Sequence, residues 1–312
     1  MTTPLVLPEP LGGGPLAAAA LAGGAPAGWF LARPHTVAGW REHLDSVRAG
    51  HATRNWAEAL APALAPGGAA AARLVRVAEG RGVVVTTGQQ PGLFGGPLYT
   101  WFKALSALAL ADAIEEVTGV PAAPIFWAAT DDADFAEGAA TWVAGRGGGA
   151  WVSLPVPDGD PRPLADVPLG DVSEQLDALT RGTGAAAAPE VLELVRRCYA
   201  ADATVGGAYL ALLRALLEPL GIAVLDAAHP SVGATAASLL RKALRDAPRV
   251  DARLIERERD ILRAGFTPQV PAVPGLSLVF QRAADGTKAR VPIAEAGAVA
   301  ATEPSILGPN VL

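Results

Sequence analysis

The chain has 312 residues, with 25 lysines and arginines against 31 aspartates and glutamates, for a formal net charge of −6. A composition of 51% hydrophobic and 18% charged residues excludes a disordered chain. The acidic balance offers no broad surface to neutralise phosphates, so no nucleic-acid partner is expected. At about 150 residues per domain the length allows one large domain or two ordinary ones, and such a chain buries about three-quarters of its unfolded surface without staples.

The N-terminus, MTTPLVLPEPL, lacks the basic n-region of a secretory signal. Residues 10–32 are free of charge but rich in Gly, Ala and Pro, too poor in large side chains to gain much from lipid. The expectation there is a loop with a short helix and no membrane association. Residues 1–80 read as an N-terminal loop and helical segment packing on a larger core. Trp40, Leu44 and Val47, then Trp56, Leu60 and Leu64, then Leu74 and Val77 recur at spacings of three and four.

Residues 81–312 read as an α/β core. Gly82–Thr86 (GVVVT) is a β-branched run expected of a strand buried on both faces, followed by a glycine-rich loop over residues 87–97. Leu98 to Val117 predicts a helix stopped by Gly119 and Pro121, and Pro124–Ala129 (PIFWAA) a second buried strand. Strand, helix and strand of this length make a βαβ unit with a parallel pair. Residues 145–200 look like an excursion from the core, ending in a helical segment near Pro189–Tyr199. A helix over Val205–Leu217 then leads to a third buried strand, Gly221–Leu225. Helical segments follow at Ala234–Leu244 and Asp251–Ala264, and Leu276–Gln281 with Ala289–Ile293 reads as a hairpin turning at Asp285-Gly286.

In open parallel sheets ligands bind beyond the carboxyl ends of the strands, near the point where strand order reverses. The three apolar strands deliver Gly88-Gln89-Gln90, then Asp131, Asp132 and Asp134, then Asp226 and His229 to that end. The glycine-rich loop offers amides and a helix N-terminus to an anion, with Lys103 adding charge, or else it is a structural turn. Its spacing matches neither standard nucleotide fingerprint. Three carboxylates in residues 131–134 repel unless solvated, protonated or paired with a cation, such as a metal or a substrate ammonium. Asp226 could hold a ribose hydroxyl or a metal, or could turn the chain. His229 before Pro230 reads more readily as structural. The lone cysteine, Cys198, excludes an intrachain disulfide and a multi-cysteine metal site and fits a reducing cytoplasm. With no base partner in sequence, Cys198 reads as a semi-buried thiol rather than a nucleophile.

From Thr87 to Glu137 the order of residues resembles one family. TGQQPGLFGGPLYTWFKALSALALADAIEE, followed by VPAAPIFWAATDDADFAE, is similar to the BshC family of bacillithiol biosynthesis, the cysteine-adding ligases. That family carries TGQQ-x-GL-x-x-GP-x-YT-x-x-KA, then V-P-x-FW and an acidic E-D-H-D-F-x-E. The likeness continues more loosely through Tyr209–Pro230 and reaches EPSILGPNVL at residues 303–312. It implies a Rossmann-like, nucleotidyltransferase-like core and condensation of L-cysteine with glucosaminyl-malate, with ATP or another nucleotide activating the carboxylate. Gln89, Gln90, Lys103, Asp132 and Asp134 would then be catalytic, with no metal, and Gly88, Tyr99, Asp131, Asp226 and His229 would bind substrate. Where the family has histidine this sequence has Ala133, and Asp131-Asp132 stands for its Glu-Asp. Family members are longer. The resemblance therefore implies a short or C-terminally truncated member, lacking the family's C-terminal coiled coil and ending on an apolar Val311-Leu312. Such a chain acts as the ligase, as a homodimer or with a complementing second chain, or else as a small-molecule or nucleotide-binding module.

Overall fold

The structure, a computed structural model, describes residues 14–31, 34–51, 55–145, 148–155, 162–184, 188–269, 272–302 and 307–309. The expectations at the N-terminal MTTPLVLPEPL and at EPSILGPNVL, apart from Leu307–Pro309, lie outside the described residues. The chain opens with four helices, α1 (Pro15–Leu21), α2 (Val37–His51), α3 (Trp56–Leu64) and α4 (Gly68–Glu79). Strand β1 (Val83–Gln89), helix α5 (Leu98–Thr118) and strand β2 (Ala122–Ala128) follow, and β1 and β2 pair in parallel. The expected helix stop is present: Gly119 is left-handed at φ 74° and its N–H returns to the Glu115 carbonyl.

A one-turn helix α6 (Phe135–Gly138) leads into an antiparallel hairpin, β3 (Ala140–Gly145) and β4 (Gly148–Ser153), then into α7 (Ser173–Thr183), α8 (Pro189–Cys198) and α9 (Val205–Leu217). Strand β5 (Ala223–Asp226) returns to the parallel sheet beside β2. Helices α10 (Pro230–Arg245) and α11 (Ala247–Arg263) precede an antiparallel sheet of order β7-β6-β8, formed by β6 (Leu276–Arg282), β7 (Lys288–Pro292) and β8 (Leu307–Pro309). A short helix α12 (Ala296–Val299) lies between β7 and β8. Among the described residues no helix is long and apolar enough to cross a membrane.

Alternation along the strands explains the layering. Phe126 and Ala128 of β2 and Val224 of β5 face α5 and α9, where they meet Ala104, Tyr209 and Leu213. Ala123, Ile125, Ala223 and Leu225 face the other way, onto Leu64 of α3 and Leu74 and Val77 of α4. Both faces of β2 are therefore covered, as its near-continuous apolar run requires. The antiparallel sheet packs separately, Val279, Val291 and Leu307 against Leu240 and Leu244 of α10. A further cluster, around Leu164, Tyr199 and Leu212, packs the 140–205 region against α9.

Several expectations need correction. Strand β1 runs on through Gly88 and Gln89, which pair with Trp127 and Ala128, so these residues end a strand rather than begin a loop. Gly88 is required there: a Cβ would lie 2.6 Å from the Trp127 carbonyl oxygen. The strand order β1-β2-β5 grows in one direction, so among the described strands no reversal marks a binding crevice. The hairpin begins at Ala140, earlier than the excursion expected from residue 145, because Trp142 and Trp151 pair across it. β8, drawn from a segment with no strand signal of its own, completes the last sheet beside the expected hairpin.

Candidate active site

Gln89, Ala128 and Asp226 stand in register at the carboxyl ends of the three parallel strands, so the residues that follow emerge at one edge. Their side-chain contacts fall into two groups. The loop after β2, Thr130–Asp134, divides them into two clusters, one on the β1 side and one on the β5 side.

On the β1 side Gln89 is a hub. It is only 8% exposed, and both ends of its amide are engaged. Its Oε1 accepts from Lys103 Nζ at 2.7 Å, while its Nε2 donates to Gln90 Oε1 at 2.8 Å and to the Tyr99 hydroxyl at 3.4 Å. Lys103 and Tyr99 lie four residues apart on the first turns of α5, one above the other, with Nζ 5.4 Å from the Tyr99 ring centre. Nζ also reaches the Gly88 carbonyl at 3.4 Å. An exposed ammonium is thereby held over the strand end by two acceptors.

Glu137, a residue sequence reasoning passed over, lies within reach of this ammonium's charge. Partial burial, then the carboxylates of Asp134 and Asp132, push the Glu137 carboxyl above its usual range, and Lys103 draws it back down. Burial, followed by the Glu137 charge, raises the Tyr99 phenol. The signal for Glu137 was the D-x-x-E spacing from Asp134: the Asp134 side chain accepts from the Glu137 N–H at 3.0 Å and starts α6. Asp132 Oδ1 accepts from the Ala133 and Asp134 N–H groups at 2.7 and 3.2 Å. Each aspartate thus uses an oxygen to shape its own turn.

The glycine loop is a structural turn. The Tyr199 hydroxyl accepts from the Gly95 N–H at 3.2 Å and donates to the Gly92 carbonyl at 3.3 Å. The Gly96 N–H returns to Leu93 O at 3.1 Å, and a Cβ on Gly92 would meet Gly96 Cα at 2.5 Å. The Gly95 and Gly96 amides are thereby taken by the protein and are not offered to a ligand.

The β5 side is built differently. Asp131, expected to share a ligand with Asp132 and Asp134, turns away from them and pairs with Lys288 of β7, Nζ to Oδ2 at 2.9 Å. Lys288 also donates to the Asp131 backbone carbonyl, and its side chain is 10% exposed against 14% for Asp131. The other oxygen, Oδ1, is buried without a partner among the described residues. Asp226 turns the chain: its Oδ1 accepts from the Thr130 hydroxyl and from the Ala228 N–H at 3.1 Å. His229 caps α10, its Nδ1 accepting from the Ser231 N–H at 3.2 Å, which leaves the proton of the neutral ring on Nε2. Among the described residues no three His, Cys, Asp or Glu side chains converge as a metal site. Cys198 is half-buried, and burial raises its thiol above the ordinary range, with Arg197 opposing. That is the setting of an inert thiol.

A three-layer α/β unit with an amide hub and a group of carboxylates at its parallel strand ends, and a lysine reaching them from α5, is a Rossmann-like domain with a polar site at its strand ends. Residues 27–299 match the family described as "Bacillithiol biosynthesis BshC, N-terminal Rossmann-like domain", and the chain belongs to that family. Among curated relatives, a protein of Solibacter usitatus named "Putative cysteine ligase BshC" is 38% identical over 213 residues, 66% of this chain and 39% of that protein. One of the same name from Salinibacter ruber is 32% identical over 62% of this chain and 36% of its own length. The one from Heliobacterium modesticaldum reaches 52% identity over 62 residues. The chain thus spans well under half the length of the curated relatives it matches.

Proposed function

We propose that this chain carries the cysteine-adding step of bacillithiol biosynthesis, joining the carboxyl of L-cysteine to the amine of glucosaminyl-malate as an amide. The observation that carries the proposal is the Lys103 ammonium, anchored at 2.7 Å on the buried Gln89, with the Glu137 carboxyl near enough to be lowered by its charge. An amine attacks an acyl carbon only after losing its proton, and a carboxylate raised above its usual range is suited to take it. The acyl oxygen gains negative charge as the carbon becomes tetrahedral, and a fixed ammonium stabilises it without reorganisation. In this reading Lys103 steadies the acyl oxygen and Glu137 receives the amine proton. Gln90 and Tyr99 hold the substrates, Gln89 orients all three neighbours, and Asp132 and Asp134 keep Glu137 basic.

A carboxylate-activating nucleotide would supply the activated acyl group and carry off the oxygen lost on amide formation. The Gly95 and Gly96 amides, spent within the protein, do not serve its phosphates. A cytoplasmic setting belongs to the same proposal, since the thiol product needs reducing surroundings.

The test is direct. Purified chain is incubated with L-cysteine, glucosaminyl-malate and ATP, and the thiol product is sought by mass spectrometry. Product that disappears on Lys103→Met or Glu137→Gln supports the proposal. A folded chain that makes none, alone and with the remaining segment of a full-length relative added in trans, overturns it.

A further inference from the structure

Helix α5 has apolar side chains on every side along its 21 residues, and a helix of that kind is covered all round. One side is covered: Ala104, Ala111 and Ile114 are buried against the parallel sheet and α2. The other is not. Leu98, Phe102, Leu105, Leu110 and Val117 are exposed, Leu98 to 69% and Phe102 to 61%. No other described helix or strand leaves more than two large apolar side chains exposed. Charge hardly interrupts this face. Lys103 bends back to Gln89 and Asp112 reaches Arg73 of α4 at 2.6 Å, which leaves Glu116 at the C-terminal end.

With the exposed Ser106, Ala109 and Ala113 the face offers about 600 Å² of mostly apolar surface, the order of what each partner buries in a stable interface and at the upper end of what monomers expose. Its side chains are also graded in size. Phe102 and Leu105 supply bulk in the N-terminal half, and Ala109 and Ala113 leave room in the C-terminal half. A second α5 turned end for end therefore complements the first. Phe102 falls opposite Ala113, Leu105 opposite Leu110 and Leu98 opposite Val117, while Ser106 and Ala109 meet at the centre and let the two backbones approach. A parallel approach would instead set Phe102 against Phe102 and Glu116 against Glu116. Self-complementarity of this kind is what a two-fold interface requires.

We propose that the exposed face of α5 docks a second copy of this chain, in an antiparallel pair of α5 helices whose two-fold axis passes between Ser106 and Ala109. The pairing places Tyr99 opposite Glu116 of the second copy, so each copy borders the strand-end site of the other. The inference does not rest on the ligase reading, and its test uses no product assay.

The experiment is sedimentation of the full chain over about 1–100 µM, a range that brackets micromolar dissociation constants. Circular dichroism of each variant confirms that it folds. The expected result is a reversible monomer–dimer equilibrium, with a dissociation constant raised about thirtyfold or more by Phe102→Glu. Leu239→Glu, at an exposed leucine of α10, is the control and should leave the equilibrium unchanged. The register is tested by adding Ala113→Lys to Phe102→Glu. Positions 102 and 113 are eleven residues apart, about 16 Å along one helix, so the new charges can pair only between copies. The double variant should therefore regain most of the lost association. A wild-type chain that stays monomeric throughout the range overturns the proposal, as does a dimer that Phe102→Glu leaves intact. A double variant as weak as Phe102→Glu overturns the antiparallel pairing. A monomer that instead binds the remaining segment of a full-length relative, and loses it on Phe102→Glu, gives the face to that segment and overturns the proposal too.

Discussion

On the β1 side of β2, Lys103 reaches Gln89 across fourteen residues of chain and stays exposed; on the β5 side, Lys288 reaches Asp131 across 157 residues and is nine-tenths buried. Both are lysine contacts at the carboxyl end of the same sheet, yet the physics differs. An exposed ammonium costs little to keep charged, so it is free to act on a substrate, and its own contact contributes little to stability. A buried ammonium exists only because a carboxylate neutralises it, and removing either partner strands the other in a poorly solvated place. In the proposed reading one lysine serves chemistry, while the other ties two sheets together.

That contrast is open to breakage. The largest effect is expected from Lys288→Met, which leaves Asp131 buried and uncompensated and should cost about 3–5 kcal/mol in urea unfolding. Adding Asp131→Asn should recover most of the loss, and a double variant as unstable as the single one would show that the pair is not what holds the sheets. Next comes Lys103→Met, with a fall in thiol product formation of about a hundredfold, equal to about 2.7 kcal/mol of barrier. Its unfolding midpoint should hardly move, within about 0.5 kcal/mol. The same change removes the group that draws the Glu137 carboxyl down, so Glu137 should titrate higher still. A carbon-detected NMR titration would follow it, and the acidic limb of the rate profile should move to higher pH. The sign for stability is also fixed. A carboxyl raised in the folded state is protonated there while the unfolded chain has ionised, so its contribution falls as pH rises from the ordinary glutamate value toward the raised one. Glu137→Gln should flatten that slope. Gly88→Ala drives a Cβ into the Trp127 backbone and should cost about 1–3 kcal/mol by forcing β1 and β2 apart. The smallest effect is Asp132→Ala, about 1 kcal/mol, for the turn hydrogen bonds from Ala133 and Asp134.

The same contrast explains what could be read in advance. The β1 cluster is nearly contiguous in sequence, so the order of Gly88, Gln89, Gln90, Tyr99 and Lys103 carries its geometry once a strand and a helix are recognised. The three buried strands and the helices beside them announced themselves by apolar runs and period. Asp131 could not be separated from Asp132 and Asp134, because nothing local says that a lysine 157 residues on will turn it the other way. One faint signal was present. Nearly all the basic residues are arginine, and of the lysines 103, 242 and 288, two stand at the strand ends. Lysine's flexible stem and compact charge suit a single acceptor at the end of a narrow reach. The glycine loop stayed open between an anion site and a turn for a related reason: nothing local says that Tyr199, some hundred residues downstream, takes its Gly95 amide.

That clasp also bears on the order of assembly. The parallel pair β1 and β2 with α5 draws on contacts within about forty residues and can form early, since short loops close cheaply. Tyr199, 2% exposed and edge-on to Phe94 with ring centres 5.0 Å apart, reaches Gly92 and Gly95 only once α8 and α9 have docked. The loop between β1 and α5, and with it the turn leading into the helix that carries Lys103, therefore completes its hydrogen bonds only when the Tyr199 region is in place.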